Sequence, residues 1–480
     1  MADAPELERT FRGEWHVAAR PKQKVSGTLT FSPETGVVLD LNGTLLDANN
    51  TDFRPTQILG TTFDGTNITI SQAQYRSQEV PSHLVSYVDG EPFRVVVSEL
   101  WSGWAIAVGA WLPEGEGTKI SSVTFRSRML RAWARQIHPK YIPLHEENIA
   151  GGTVTLSSPF EALTDLGKVT FAWTKHETTQ YGVRMRFIPE LSIQFQNEMS
   201  IGDAWHSAVV PLLHFLSLAT GRGDWLEGLI FTDDANEHEW NLVGKDGYEW
   251  GILEGRFEWL TSSWMARPTD REPPYDFEFL LSAPEVTNSF EAIVPSWFKV
   301  HARTRHALLD YFAIHMSQAM VFEESFNRVV RSLEVIHGLL YDAPRIGKSD
   351  FRRIKQLIKE ALSGEEHKQL IMERLSHADA ASLKDRLLEL IELCGPQIKA
   401  QIDARPNFVT RVVSTRNGIT HTGDAGEFFE KGDFDEAFYL LDLVMRSVLI
   451  REIGIPEDEL DKHVMRTRDS RFVQHQFRIE

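Results

Sequence analysis

The sequence has very little cysteine and no long apolar run. Cys394 is the single cysteine among 480 residues, which excludes a disulfide within the chain and a zinc site built from several of its own thiolates. The longest apolar stretch, residues 104–112, is about half of what a membrane-spanning helix needs. The first residues are acidic and polar, unlike a secretory signal. We therefore expect a cytoplasmic protein that does not engage a membrane.

Several motifs of cofactor and metal chemistry are also missing. The 17 histidines form no HExxH spacing, and neither a GxGxxG loop nor a Walker motif occurs. We accordingly predict no metal and no cofactor. The formal net charge of −18 argues against a protein that coats nucleic acid through many phosphate contacts. A local basic patch that engages one RNA loop remains compatible with this charge.

Tryptophan is absent from the C-terminal part. All 13 tryptophans lie between Trp15 and Trp297, and a chain of this length predicts two or three domains. The composition therefore changes near residue 300. Before this point, β-like runs alternate with turns, as in residues 25–31, a turn at 32–36 and residues 37–41. Similar runs near residues 67, 93, 122, 153, 169 and 183 favour a sandwich or two packed sheets, with one helix inserted at 203–219. Trp101, Trp104 and Trp111 are expected in its core rather than in a ligand-binding patch.

Helical periodicity replaces this pattern after about residue 285. Apolar residues from Phe326 to Leu340 recur at spacings of three and four. The last long helix is predicted to open at Asp433 and Glu436 with the spacing of a capping box, and to stop at Gly454 and Pro456. The sequence thus predicts an α+β multidomain protein, with a β-rich region at 1–270, a linker at 271–284 and a helical region at 285–480.

The helical region contains one constellation that could carry chemistry. If residues 408–421 are helical, Phe408, Val412, Thr415 and Ile419 form the inward face, and Arg416, Asn417 and His421 share the outer side. An imidazole can move the proton of a ribose 2′-hydroxyl. A guanidinium can stabilise charge on phosphorus, and the amide of Asn417 can orient the histidine or the phosphate. An Arg and His at this spacing alone would more often be a solvated helix surface.

The string of residues 415–421 resembles the R-N-x-x-x-H form of the motif of HEPN ribonucleases. Residues 331–337 resemble the helix of that family that carries an acidic residue. Residues 11–15 and 27–31 are similar to the N-terminal domain of the ApeA family of bacterial anti-phage proteins. Thr422 departs from the Pro that many relatives have after the motif His.

The resemblance implies an all-α HEPN bundle that dimerises, so that two Arg/His motifs form one cleft. It implies metal-independent RNA cleavage by 2′-hydroxyl attack, with host tRNA as a plausible substrate. It also implies growth arrest after infection. The β-rich region would then restrain the helical region or sense a phage-derived trigger.

Further residues are assigned less directly. Glu334 either orients Arg416 or His421, or is a surface carboxylate paired with Arg331. The densest basic stretch of the helical region either guides RNA or is a solvated face; its candidates are Arg345, Lys348, Arg352, Arg353 and Lys355. A second basic cluster follows in the C-terminal tail, at Arg466, Arg468, Arg471 and Arg478.

Two other classes of function stay open. The chain could be a non-catalytic HEPN-like module that binds RNA or protein, or its β-rich region could bind carbohydrate or peptide while the helices only dimerise. The intact pair of Arg416 and His421 favours catalysis.

Overall fold

A computed structural model describes residues 8–46, 55–79, 85–88, 91–94, 98–112, 118–137, 139–144, 151–155, 158–178, 184–233, 256–261, 275–316, 320–341, 347–375, 380–420, 429, 431–467 and 469–470. The chain divides into two compact units. The strand unit comprises Met1–Leu216 and Asp224–Pro273, and the helical unit comprises Ser217–Gly223 and Pro274–Glu480.

The strand unit consists mainly of antiparallel strands joined by turns. The strands are β1 Arg9–His16, β2 Val25–Ser32, β3 Gly36–Leu41, β4 Gln57–Thr62, β5 Asn67–Ser71, β6 Gln74–Glu79, β7 Val85–Val88, β8 Glu91–Arg94, β9 Ser98–Gly103, β10 Ala105–Val108, β11 Lys119–Ser127, β12 Lys140–Leu144, β13 Gly151–Thr155, β14 Phe160–Thr164, β15 Gly167–Thr178, β16 Arg184–Ser200, β17 Leu226–Thr232 and β18 Arg256–Thr261. The helices are α1 Arg128–Trp133, α2 Ile201–Ala204 and the part of α3 (Val210–Thr220) up to Leu216, with a π-helical segment Trp205–Val209 between α2 and α3.

One 14-stranded sheet dominates this unit, in the order β14-β15-β16-β11-β17-β18-β10-β5-β4-β1-β2-β3-β9-β6. Only Trp104 separates β9, which pairs with β3, from β10, which pairs with β5. Strands β3, β2, β1, β4 and β5 are themselves paired in that sequence. The pairings, together with the chain at Trp104, therefore close into a ring. Its core residues are essentially unexposed, among them Trp15, Leu29, Leu39, Ile58, Ile70 and Trp101.

The predicted N-terminal hairpin is confirmed. Strands β2 and β3 pair with Leu29 opposite Leu39. Every second side chain of β3 is buried, at Val37, Leu39 and Leu41, as expected for a strand with one face on the core. In the turn, the Ser32 hydroxyl accepts from the backbone N–H of Thr35 at 3.0 Å. Gly36 takes a φ of 74°, which glycine adopts without steric cost.

The predicted helix at 203–219 is also found, as the continuous segment from α2 to α3. Its π-helical turn ends at Val209, two residues before Pro211. Proline has no backbone N–H to bond with the preceding turn, so regular α-helical bonding is interrupted there.

The prediction that three tryptophans lie in the core is wrong for two of them. Trp101 is 1% exposed, but Trp104 and Trp111 are each 41% exposed. Trp104 falls between β9 and β10, and its ring packs against Trp259. The indole N–H of Trp111 donates to the carbonyl of Gly60 at 2.8 Å. Both rings are thus held at the edge of the strand core.

The helical unit contains the longer helices. They are α4 Ala283–Asn288, α5 Phe290–Met316, α6 Phe322–Leu340, α7 Lys348–Ala361, α8 Lys368–Arg374, α9 Leu383–Glu392, α10 Pro396–Asp403, α11 Phe408–Thr420, α12 Lys431–Glu452 and α13 Leu460–Met465. Of the predicted linker at 271–284, residues 271–274 lie outside the described residues, and Asp276–Glu278 form a 3-10 turn.

Helix α12 confirms one predicted boundary and corrects the other. It stops before Gly454, which has a φ of 100°. It begins at Lys431, so the predicted capping box at Asp433 and Glu436 is wrong. Both carboxylates pair with arginines of earlier segments instead: Asp433 with Arg411 at 2.8 Å, and Glu436 with Arg405. Tertiary ion pairs here replace the local cap.

Charged groups lie inside the helical core. The side chain of Asp442 is 2% exposed and that of Arg446 is 3% exposed, and their charged atoms are 2.6 Å apart. The Tyr311 hydroxyl donates to Asp442 at 2.6 Å, and Asp469 lies 2.7 Å from Arg446. Burial alone would raise the pKa of Asp442, but the charges of Arg446 and His315 outweigh it and lower the pKa to about 2. Among the described residues, no helix is both long and apolar enough to cross a membrane.

Candidate functional site

Helices α6 and α11 bring together two of the candidate residues. In α6 the buried stripe includes Val330, Leu333 and Ile336, so Glu334 lies at the margin of the packed face. In α11, Val412 and Thr415 are buried, and Arg416 follows Thr415 at the same margin. The local sequence therefore places both charged side chains where the two helices meet.

The carboxylate of Glu334 faces the guanidinium of Arg416. Glu334 Oε2 lies 3.7 Å from Arg416 Nη2, and about a third of each side chain is exposed, 32% and 30% respectively. Arg331, the other partner considered for Glu334, instead lies 3.4 Å from Asp310. A partly exposed ion pair at this distance is weakly held. The guanidinium can therefore exchange its partner for an incoming phosphate.

Asn417 extends the polar cluster. Arg416 Nη1 donates to Asn417 Oδ1 at 3.2 Å, and Asn417 is exposed. The inward face of α11 is as predicted at Phe408, Val412 and Thr415, which are 4%, 0% and 5% exposed. The prediction is wrong at Ile419, which is 40% exposed near the end of the helix.

His421 lies outside the described residues, directly after the last residue of α11. The chain that follows is tied back to this helix at Phe429. The N–H of Phe429 donates to the Thr415 hydroxyl at 3.2 Å, and the guanidinium of Arg411 lies 4.4 Å from the centre of its ring. The Phe408 ring also packs against Phe429, with centroids 5.8 Å apart. Thr415, the residue before Arg416, thus holds the returning chain at Phe429 against α11.

The predicted RNA-guiding residues belong to a separate helix. Arg345 lies outside the described residues, while Lys348, Arg352, Arg353 and Lys355 are on α7. Arg353 lies 3.8 Å from Asp350, and the ammonium of Lys355 lies 5.2 Å from the centre of the Phe351 ring. In the tail, Arg466 lies 2.6 Å from Glu285, so its guanidinium forms an ion pair within the helical unit. Arg468, Arg471 and Arg478 lie outside the described residues.

Sequence reasoning missed Arg386. This side chain of α9 donates from Nη1 to the backbone carbonyl of Glu334 at 3.2 Å. A signal was present in Gly338, a glycine in the interior of α6, where a side chain would be favoured by helix propensity. Within the described residues, no group of three or more His, Cys, Asp or Glu side chains is placed to hold a metal ion.

Two family models match the chain. The model described as ApeA N-terminal domain 1 matches residues 10–297, and the model described as Apea-like HEPN matches residues 328–459. The second match contains Glu334, Arg386, Arg416 and His421. Neither a curated protein nor a solved structure matches the chain.

Proposed function

The chain belongs to the ApeA-like HEPN proteins, and from this we propose that it is an anti-phage endoribonuclease that cuts RNA without a metal. The observation that carries the proposal is the facing pair of Arg416 and Glu334 inside the matched HEPN region. Asn417 lies beside Arg416, and His421 follows at the spacing of the HEPN motif.

Each residue has a distinct role in the proposed reaction. His421 takes the proton of a ribose 2′-hydroxyl as its oxygen attacks the adjacent phosphorus. Arg416 stabilises the extra negative charge on the phosphate oxygens. The bond from phosphorus to the 5′-oxygen breaks, and that oxygen takes up a proton from an imidazolium. The products are a 2′,3′-cyclic phosphate and a 5′-hydroxyl. Asn417 orients the arginine or the phosphate.

Glu334 is proposed to hold Arg416 in place before RNA binds. A long arginine side chain loses rotamer freedom when it is fixed, and a carboxylate 3.7 Å away restricts that freedom in advance. Because the pair is partly exposed, solvent screens it and the phosphate can compete for the guanidinium.

Helix α7 is proposed to guide RNA toward this site. Lys348, Arg352, Lys355 and Lys359 follow each other at spacings of four, three and four residues, so these positions share one stripe, about 16 Å long, of the helix. Arg353 lies off this stripe beside Asp350, and Arg345 precedes the helix. A row of cations at this pitch suits the phosphates of an RNA strand such as tRNA.

The remaining parts of the proposal concern assembly and control. Two copies would face each other so that both Arg/His motifs share one cleft. The region 1–270 would restrain the helical region or receive a phage-derived trigger. Cleavage of RNA in the cytoplasm, with tRNA as the favoured substrate, would then stop growth of the infected cell.

The first test is cleavage of total bacterial tRNA in EDTA by the full chain, with and without lysate from infected cells. We expect cyclic phosphate ends, and a loss of about 100-fold or more in Arg416→Ala and in His421→Ala. Arg305→Ala and His306→Ala are matched controls, because both residues are adjacent and exposed on α5. They should cleave as wild type does.

The same assay separates cutting from binding. RNA that is bound but stays intact under every condition would support the non-catalytic alternative and overturn the proposed activity. Deletion of residues 1–270 tests control. Unchanged basal cleavage together with an unchanged response to infected lysate would remove the regulatory role of this region.

A further inference from the structure

Arg386 connects α9 to α6 at the level of the candidate site. Its Nη1 donates to the backbone carbonyl of Glu334 at 3.2 Å, and its Nε donates to the carbonyl of Ala381 at 3.0 Å. A carbonyl oxygen has two lone pairs, so Glu334 can accept this bond in addition to the usual helical bond. One planar guanidinium thereby fixes the main chain of the residue whose carboxylate faces Arg416.

Gly338 provides the space for this contact. A Cβ at position 338 would lie 2.7 Å from Arg386 Nη1, closer than side-chain atoms normally approach. Gly338 lies inside α6 and its φ is not positive, so its backbone conformation does not require glycine. Glycine is unfavourable inside a helix. Its presence here is explained by the guanidinium that occupies the place of a side chain.

A second contact fixes the same two helices further along. His337 Nε2 lies 2.6 Å from Glu389 Oε2. His337 and Glu389 each follow the first pair, Glu334 and Arg386, by three residues, which is about one helical turn. The ring of His337 is 1% exposed, so it cannot touch a substrate. The contact secures the alignment of α6 on α9.

We propose that Arg386 is a positioning residue of the candidate site, which sets Glu334 against Arg416. The inference rests on the proposed ribonuclease function. Arg386 acts through the main chain of Glu334.

The test compares steady-state RNA cleavage by full-length variants under conditions in which wild type cleaves and Arg416→Ala does not. Arg386→Ala should lower kcat by about 10-fold to 100-fold with little change in KM, since misplacement of a positioned group has effects of this size. Arg386→Lys should restore part of kcat, because lysine keeps the charge but lacks the planar fork. Lys384→Ala, an exposed change on the same helix, is the control.

Gly338→Ala retains Arg386 but displaces its guanidinium, because the added Cβ would lie 2.7 Å from Nη1. This variant tests the inference even if Arg386→Ala does not fold. Alanine is the better helix former, so the melting temperature should stay the same or rise, while kcat should fall. A purely structural role of Arg386 predicts no such separation of activity from stability. Wild-type kcat in both Arg386→Ala and Gly338→Ala, with Arg416→Ala inactive, would overturn the inference about Arg386 but leave the proposed function standing. Wild-type activity in Arg416→Ala would instead overturn the proposed function.

Discussion

Glu99 in the strand unit and Asp442 in the helical unit are both 1% exposed, but neutral donors surround one and charged groups the other. Glu99 accepts from the backbone N–H of Leu45 at 2.9 Å and from the indole N–H of Trp101 at 3.1 Å. Asp442 faces Arg446 at 2.6 Å and His315 at 3.3 Å.

The difference shows two ways in which a fold can accommodate a buried carboxylate. Neutral hydroxyl and N–H donors surround Glu99, and Asp224 of the strand unit is held in the same way by Ser127 at 2.6 Å and Met129 at 3.0 Å. Around Asp442, ion pairs join α5, α12 and the segment at Asp469. Both arrangements connect segments that are distant in sequence. Removal of one partner from a buried ion pair leaves an uncompensated charge, so the two units should respond differently to substitution.

The largest effect is expected for Arg446→Met, which removes the guanidinium that faces both Asp442 and Asp469. We predict a loss of about 3–5 kcal/mol of unfolding free energy, measured by chemical denaturation. Of the 13 tryptophans only Trp297 lies in the helical unit, so helical loss should be followed by circular dichroism at about 222 nm, where the helical backbone absorbs. Arg353→Ala breaks an exposed pair and should cost less than about 1 kcal/mol. An equal loss of unfolding free energy in Arg446→Met and Arg353→Ala would show that the buried ion pair is no more important for stability than an exposed one.

Asp224 of the strand unit and His301 of the helical unit should contribute to the pH dependence of stability with opposite signs. Burial raises the pKa of Asp224 to about 7 against the hydrogen bonds that it accepts. The folded state then binds more protons than the unfolded state between about pH 4 and pH 7, so this contribution is lost as pH rises. Burial and the charge of Arg305 lower the pKa of His301 to about 4. Its contribution is lost as pH falls from about 6.5 toward 4.

Melting curves across this range, for wild type, Asp224→Asn and His301→Gln, measure both contributions. Each is at most about 3–4 kcal/mol, at about 1.4 kcal/mol per pKa unit. Relative to wild type, Asp224→Asn should gain stability as pH rises and His301→Gln should gain stability as pH falls. Parallel curves for all three proteins would show that neither group controls the pH response.

The smallest effect is expected for Glu99→Gln. Glutamine keeps one oxygen as an acceptor but replaces the other with an NH2 group. That group then faces hydrogen-bond donors, among them the Thr44 hydroxyl, which donates to the carboxylate in the wild type. We predict a loss of about 1–3 kcal/mol, followed by tryptophan fluorescence because Trp101 is a direct partner. Glu161→Gln, in an exposed pair with Lys168, is the control. A cost as large as that of Arg446→Met would mean that neutral donors are no different from ion pairs here.

Much of the fold follows from periodicity, whereas the polar contacts of the site do not. Alternation located β2, the turn after it predicted β3 as the returning strand, and spacings of three and four located the buried stripe of α6, because these patterns report which side faces a core. They do not report partners across the core. Asp433 and Glu436 were assigned to a local cap, but Arg411 and Arg405 bind them from elsewhere in the chain.

The candidate site shows the same division. The motif indicated Arg416, and for Glu334 three partners stayed open: Arg416, His421 and Arg331. Only the packing of α6 on α11 places it beside Arg416. Ile419 was assigned to the buried face although it is 40% exposed, since a helical period cannot tell where a neighbouring element ends. Arg386 carries no motif, and its contact with Glu334 depends on the packing of α9 against α6.

The closed ring of strands also has a consequence in time. All its members are synthesised by residue 108, where β10 ends, but the other edge of β10 pairs with β18, which begins at residue 256. The intervening stretch, residues 109–255, takes roughly 7–30 s at about 5–20 residues per second during synthesis. During that interval the edge of β10 that later pairs with β18 is unpaired in the nascent chain, and unpaired strand edges can pair with strands of other chains. β10 is only 4 residues long, which leaves a foreign strand few backbone groups to bind.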